Sequence, residues 1–359
     1  MGAGRLAVTP RRCSAVTRRV ADWFQENARD LPWRKTNSRG RRDPYRSLVS
    51  EAMLQQTQVS RALEKFDAFL TRFPTVRSLA SAKEERVLEA WSGLGYYRRA
   101  KHLHKAAQAI VAHHAGEVPQ DTTALMKLPG VGRYTAGAIA SLVFGEPEPI
   151  VDGNVARVLL RLEGKTLDPI ASAAGAWLWS TAASLAQRAH RDANVAAFNE
   201  GLMELGALVC KPTGPTCKAC PLASLCVARR LGLTETIPHA KAQTKKKTLY
   251  YDCVLVEDDR GRRLVERRPD DGLWAGLWQP PTLERQSRPA AKKEIEQWIG
   301  SMIEKVDSFD HLTSHRRVRF RIWRVERHAA VQLAGRWLNR GRLARLALAS
   351  PHRRILLEL

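Results

Sequence analysis

The sequence predicts two domains of different class, an all-α region over residues 16–227 and a smaller α/β region over residues 248–359. Three observations lead there. At 359 residues the chain is longer than one hydrophobic core ordinarily supports. Up to residue 208 its apolar residues recur at helical spacing, punctuated by Gly, Pro and Asp. Beyond a basic segment ending Lys-Ala-Gln-Thr-Lys-Lys-Lys247 the pattern changes to short strand-like runs bounded by turn residues.

Composition narrows the class of partner. Hydrophobic residues at 44% are enough for a buried core, but 59 Lys and Arg against 36 Asp and Glu leave a net charge of +23. Such an excess calls for a polyanion, nucleic acid before an acidic membrane surface. No apolar run reaches the length of a bilayer crossing, so no membrane association is expected. Residues 1–15 form a basic lead-in without the apolar centre of a secretory signal. A cytoplasmic protein is expected, and Arg11, Arg12, Arg18 and Arg19 leave an organelle or nuclear address open.

The helical region begins with an amphipathic helix over residues 16–27. In the following Asp30-Leu-Pro-Trp-Arg34, Trp33 offers a stacking plane and Arg34 a fixed cation, useful against a base or a phosphate. Asp43 and Pro44 open one long helix with Leu48, Ala52, Val59, Leu63, Phe66 and Leu70 at helical spacing. Glu51 sits at the margin of that apolar stripe, where partial desolvation raises a carboxyl pKa and lets it hold a proton near neutrality. Gln55, Gln56, Thr57 and Gln58 then place four uncharged polar side chains on one helical turn, suited to reading hydrogen-bonding edges. Residues 71–91 give a turn and a further helix. Gly93-Leu-Gly-Tyr-Tyr-Arg-Arg99 combines backbone approach, stacking and phosphate neutralisation.

A helix over residues 101–114 and a short lead-in at 121–126 bring the chain to Leu128-Pro-Gly-Val-Gly-Arg-Tyr-Thr-Ala-Gly137. Pro129, Gly130 and Gly132 break one helix and start the next. A bend of this kind turns backbone N–H groups toward an anion such as a DNA phosphate. The apolar helix that follows ends in Val151-Asp-Gly-Asn-Val155, where Asp152 and Asn154 stand at the mouth of another helix. Asp152 is a candidate for chemistry there, although an Asp in this position taken alone is most often a helix cap.

Residues 171–208 are again helical and carry Phe198-Asn-Glu200. Cys210, Cys217, Cys220 and Cys226 then follow in the spacing C-x6-C-x2-C-x5-C on a turn-rich loop. Thiolates this close suit zinc or an iron–sulfur cluster, and spacing alone leaves the two level. Residues 228–247 lack a period and read as the interdomain linker. In the second domain residues 249–256 are strand-like, Asp258 to Gly261 make a hairpin turn, and residues 262–267 return. Gly272-Leu-Trp-Ala-Gly-Leu-Trp278 leads to a helix at 290–303, an Arg-rich strand at 309–325 and a closing helical region at 337–357.

Together these segments resemble the MutY adenine DNA glycosylases of the helix-hairpin-helix superfamily. The residues that carry the resemblance are Leu-Pro-Trp-Arg34, Ser50-Glu-Ala-Met-Leu-Gln-Gln-Thr57, Gly93-Leu-Gly-Tyr-Tyr97, Leu128 to Gly137, Val151-Asp-Gly-Asn-Val155, Phe198-Asn-Glu200, the cysteine spacing and Gly272-Leu-Trp-Ala-Gly-Leu-Trp278. The resemblance implies a monofunctional enzyme that excises adenine opposite 8-oxoguanine or guanine in duplex DNA, acting as a monomer on an extruded base. Glu51 matches the proton donor to adenine N7, and Asp152 the carboxylate that stabilises an oxocarbenium-like sugar. Tyr134 and Asn154 match residues holding that sugar and its carboxylates. Arg34, Leu54 and Glu200 match the adenine pocket, with Trp33 beside Arg34. Gln56, Thr57, Leu94 and Tyr96 match the 8-oxoguanine side, and Gly130 and Gly132 the phosphate grip. Arg157 resembles a residue near the cluster.

The resemblance also turns the cysteines toward a [4Fe-4S] cluster, bound by Cys210, Cys217, Cys220 and Cys226 over the loop 210–226. Tyr134 stands where an endonuclease III-like relative would carry a Schiff-base Lys, so strand cleavage is expected to be weak or absent. The second domain resembles a Nudix-like module that reads 8-oxoguanine. It lacks the Glu-rich magnesium signature between Gly276 and Gly300, so no pyrophosphatase activity is expected. In its His311-Leu-Thr-Ser-His315 loop, Thr313 stands where the family carries an aromatic ring, while Ser314 and His315 keep hydrogen-bonding capacity.

Overall fold

The computed structural model describes residues 10–169, 171–239, 246–325 and 333–359. Most of the basic lead-in (1–9) and the centre of the expected linker (240–245) lie outside the described residues. In chain order the helices are α1 (Pro10–Asn27), α2 (Pro44–Leu54), α3 (Val59–Arg72), α4 (Val76–Ala80), α5 (Glu84–Ala90), α6 (Arg98–His113), α7 (Thr122–Met126), α8 (Arg133–Phe144), α9 (Gly153–Leu162), α10 (Ser172–Asp192), α11 (Val195–Leu208) and α12 (Val227–Arg230). Beyond them come β1 (Lys247–Leu255), β2 (Arg263–Arg267), β3 (Trp278–Gln279), β4 (Thr282–Arg285), α13 (Lys292–Ile299), β5 (Ile303–Leu312), β6 (Arg316–Val325), β7 (Arg336–Leu338), α14 (Arg340–Leu343) and α15 (Ser350–Leu357). Among the described residues no helix is long and apolar enough to cross a membrane.

The chain forms two compact units. The first takes the described residues of Met1–Gln56, Phe73–Ser81 and His102–Ala242, and the second those of Thr57–Arg72, Ala82–Lys101 and Gln243–Leu359. In the first unit α1, α9, α10 and α11 close a core through Val20, Leu159, Leu185, Phe198 and Leu205. Residues 228–239 join that core, with Ala228 and Ile237 fully buried. Local signals explain the helix starts that matter. Asp43 caps α2 by accepting from the Tyr45 and Arg46 backbone N–H groups, with Pro44 at the first helical position. Asp121 caps α7 at 2.7 Å from the Ala124 N–H, and Gly130 makes the bend into α8 at φ +78°. A Cβ on Gly130 would stand 2.5 Å from His102 Cβ, so the turn needs glycine for space as well as for φ.

In the second unit a mixed sheet of order β4-β1-β6-β5 pairs β1 with β6 in parallel and β1 with β4 antiparallel, and a smaller antiparallel sheet has the order β3-β2-β7. Alternate residues of β1 serve two cores. Leu249, Tyr251, Cys253 and Leu255 face one with α15, and Val254, with Val256 just beyond the strand, faces another with α13. Asp252 is fully buried yet accepts from Arg321 Nε at 2.6 Å, Trp323 Nε1 at 3.0 Å and the Ala290 N–H at 3.1 Å, which offsets its desolvation.

Several expectations about elements need correction. The long helix from Pro44 is two, α2 and α3, because the chain turns at Gln56 with φ +54°. Residues 55–58 therefore span a break and do not share a helical turn. The turn and helix expected over 71–91 are two short helices, α4 and α5. The helix expected to reach 303 stops at Ile299, where Gly300 adopts φ +72°, and Ile303 already starts β5. The Arg-rich strand at 309–325 is the two arms of a hairpin, β5 and β6, closed where Thr313 N–H donates to the Arg316 carbonyl at 2.8 Å. The closing helical region contains a strand, β7, before α14 and α15.

Candidate active site

Glu51 falls in the last half of α2, which packs on α8, and only 9% of it is exposed. Tyr134, in the first turn of α8, lies close enough to the Glu51 carboxyl to lower its pKa, and its hydroxyl donates to Met203 Sδ at 3.2 Å. Burial, then the nearby Glu200 carboxylate, push Glu51 up to about 7; Asp152 adds to the push, while Tyr134 and Arg42 oppose it. Glu51 is therefore poised to carry a proton at neutral pH. The Tyr134 phenol is held well above its usual range by burial and by Glu51 and Asp152, which keeps it neutral.

Asp152 caps α9. Its Oδ1 accepts from the Val155 N–H at 2.7 Å and its Oδ2 from Asn154 Nδ2 at 3.0 Å. Those donors and Arg157 pull its pKa down. Burial outweighs them, so the net direction is upward. The capping and chemical readings of Asp152 thus describe one geometry, because the donors that cap the helix also orient the carboxylate. Asn154 is fixed from behind by Arg157, whose Nη2 donates to Asn154 Oδ1 and to the Gly206 carbonyl, both at 2.8 Å, and whose Nε donates to the Cys210 carbonyl at 2.7 Å.

On α11, Glu200 accepts from Arg34 Nε at 2.9 Å and from Arg42. One turn on, Glu204 accepts from Arg29 Nε at 2.7 Å and Arg34 Nη2 at 3.1 Å. Desolvation of Glu204 is overcome by those hydrogen bonds, which hold it at about 2. Arg34 is thus a bridge between two buried carboxylates, Trp33 beside it is buried, and Leu54 is half-buried at the end of α2. Arg42 was not singled out in the sequence, since it sits in a run of basic residues that reads as solvated charge. Met203 carried no signal at all.

In the second unit Arg99 ties the remaining positions together. Its Nη2 donates to Thr57 Oγ1 at 2.8 Å and to the Leu94 and Gly95 carbonyls at 3.2 and 3.1 Å, and its guanidinium lies over the Tyr96 ring at 5.4 Å. Sequence reading noted Arg99 only as a charge beside the tyrosines. Tyr96 is 48% exposed at φ +44°, and its hydroxyl pairs with Ser314 Oγ at the tip of the β5–β6 hairpin. The Leu94 side chain is buried, whereas Gln56, Gly130, Gly132, Ser314 and His315 are exposed.

Cys210, Cys217, Cys220 and Cys226 line one cavity together with Arg161, whose Nη1 donates to Cys210 Sγ at 3.3 Å and to the Lys211 carbonyl at 2.7 Å. Among the described residues no three His, Cys, Asp or Glu side chains form a group for a single metal ion. Four thiols around one cavity with a cationic donor on a sulfur fit a sulfur-ligated cluster.

Residues 49–174 match the HhH-GPD superfamily of base excision DNA repair proteins, and residues 252–358 the NUDIX domain. The human adenine DNA glycosylase is 31% identical over 94% of this chain and 72% of its own length. The enzyme of Buchnera aphidicola (strain Sg) is 33% identical over 82% of this chain and 83% of its own. Among solved structures, a thermostable thymine-DNA glycosylase superposes with a TM-score of 0.54 at 28% identity, over 62% of this chain and 99% of that one. An endonuclease III in complex with DNA shares the fold, with a TM-score of 0.51 at 22% identity. The chain belongs to the adenine DNA glycosylase family and is a DNA glycosylase of base excision repair.

Proposed function

We propose that the enzyme removes adenine opposite 8-oxoguanine, or opposite guanine, without cutting the strand. The observation that carries the proposal is a buried Glu51 that holds its proton up to about neutrality, with Asp152 and Tyr134 near enough to act on its charge. The adenine leaves the stack because the sugar is not accessible within it. Arg34, Leu54 and Glu200, beside Trp33, receive the base. Protonated Glu51 gives its proton to adenine N7, the glycosidic electrons move into the ring as the base leaves, and the Asp152 carboxylate faces the positive charge that develops on the sugar. Water then adds to the anomeric carbon with loss of its proton to a carboxylate or to solvent. Tyr134 and Asn154 hold that arrangement. With a neutral phenol at 134 there is no amine to form a Schiff base.

In this reading residues 16–227 form the catalytic domain, 228–247 the connection, of which 228–239 pack on that domain's core, and 248–359 the domain that recognises 8-oxoguanine, with Ser314, His315 and Tyr96 on the base. Gln56, Thr57, Leu94, Gly130 and Gly132 hold the duplex around it. The four cysteines would hold a [4Fe-4S] cluster, which supplies rigidity to the loop carrying Lys211 and Lys218 and no step of the reaction. The enzyme works as a monomer in the compartment of the chromosome, the cytoplasm in a bacterial cell.

Incubation of the protein with a duplex containing adenine opposite 8-oxoguanine, followed by alkali, gives a break at the adenine. Glu51→Gln and Asp152→Asn each suppress it. Full activity in Glu51→Gln would overturn the assignment. Likeness to the thymine-DNA glycosylase supports a second reading, release of thymine from a mismatch, and duplexes that differ only in carrying thymine or adenine decide between the two.

A further inference from the structure

In the second unit a cavity of about 560 Å³ opens between α3, α5, the Ser92–Gly93 turn and the α14–α15 region. Six basic side chains line it: Arg61, Lys65 and Arg72 of α3, Arg86 of α5, Arg345 just after α14 and Arg353 of α15. Only two acids, Glu64 and Glu89, share the lining. Both are already engaged, Glu64 with Arg61 at 3.4 Å, and Glu89 with Arg72 at 3.0 Å and Arg86 at 3.2 Å. Among the described residues no carboxylate lies within ion-pair distance of Lys65, Arg345 or Arg353. Arg353 is fixed in place by donating from Nη2 to Ser92 Oγ at 3.1 Å and to the Ala344 carbonyl at 3.2 Å. Gly93, at φ +97°, adds space on the lining, since a Cβ there would stand 3.3 Å from Lys65 Cε.

Concentrating six positive charges against two negative ones in one concavity costs self-repulsion unless something negative enters. The walls dictate what that is. Arg forks bind the paired oxygens of phosphoryl groups in two-point contacts, and a Lys adds a point charge. The volume falls within the range of small-molecule sites and far exceeds a single oxyanion. We propose that this cavity is a binding site for adjacent phosphoryl groups, at least two of them, held by Lys65, Arg345 and Arg353. The phosphates come either from a free phosphorylated metabolite or from consecutive phosphodiesters of a nucleic acid. None of these side chains belongs to the base-excision site, so the proposal stands apart from the reading of that site.

Titration calorimetry of the full chain with sodium pyrophosphate tests it. Saturable binding is expected, tighter than that of inorganic phosphate, with Kd raised at least about tenfold in the double variant Lys65→Gln, Arg345→Gln and restored toward the parent value by Lys65→Arg, Arg345→Lys. No saturable heat, or a Kd unchanged in the Gln variant whose thermal melt matches the parent, would refute it. Neither Lys65 nor Arg345 makes a side-chain hydrogen bond among the described residues, so folding is expected to survive, and Lys65→Gln alone serves if the pair does not. A duplex-binding salt series separates the two sources: loss of about one unit of slope per missing contact marks a phosphodiester ligand, and an unchanged slope a free one.

Discussion

At the scale of single residues, Glu51 decides what the site can do and what it costs the fold. Its carboxyl is lifted from 4.5 to about 7, mainly by burial. A group whose folded pKa is raised holds its proton more tightly in the folded chain than in the unfolded one. Below about pH 4.5 both forms are protonated and there is no penalty. The penalty grows between 4.5 and 7 and is complete above 7, where it amounts to about 3 kcal/mol. Glu51→Gln removes it while keeping the shape. The variant is therefore expected to melt several degrees above the parent at pH 8, with the gain shrinking toward zero at pH 4.5. Activity moves the other way. Single-turnover release of adenine by the parent should fall as pH rises through about 7, when the donor loses its proton, and drop by roughly 100-fold or more in the variant. A variant that gains no stability at pH 8 would show that the carboxyl is not desolvated as described.

At the scale of elements, the site depends on how closely α9 and α11 approach. A Cβ on Gly206 of α11 would lie 2.6 Å from Asn154 Cβ and 3.0 Å from its backbone oxygen. The Gly206 carbonyl also accepts from Arg157, which holds Asn154. Gly206→Ala gains up to about 1 kcal/mol of helix propensity, but overpacking against backbone costs about 1–3 kcal/mol. The expected result is a lower melting temperature with a slower single-turnover rate, because Asn154 and through it Asp152 are pushed aside. Unchanged rate in a stably folded variant would separate the helix contact from the chemistry. The difference between what was legible in the sequence and what was not lies at this scale. Asp152 and Pro129 to Gly132 were readable because caps and bends are local chemistry. The helical period placed Glu51 only at the margin of an apolar stripe, and its near-complete burial comes from the packing of α2 on α8, which no local pattern announces. Arg34 and Glu200 came together only through the resemblance, and Arg42 and the Arg99 contacts were not legible at all, since they join residues far apart in sequence whose charges look solvated. The break at Gln56 was missed for another reason: a left-handed residue other than Gly leaves no composition signal.

At the scale of the whole molecule, charge is divided between two tasks that salt tells apart. The excess of 59 basic over 36 acidic residues is spread over both units, and many of the acids are already committed to named partners such as Arg34, Arg72 and Arg321. The surplus is mostly exposed, where added ions screen it within about 8 Å at physiological ionic strength. DNA binding that rests on such charges releases counterions, and its affinity falls steeply with salt. The charges proposed to carry the reaction are different. Glu51 is buried, as are Glu200 and Glu204, and the electrostatics among them act where ions do not penetrate. Raising salt from 50 to 200 mM should therefore weaken duplex binding by roughly 100-fold or more. With protein held in excess of the weakened Kd, the rate of adenine release should change by no more than about twofold, because screening does not reach a buried pair. A rate at saturation that falls in step with affinity would place part of the transition-state stabilisation on exposed lysines and arginines, not on the carboxyls of α2 and α9.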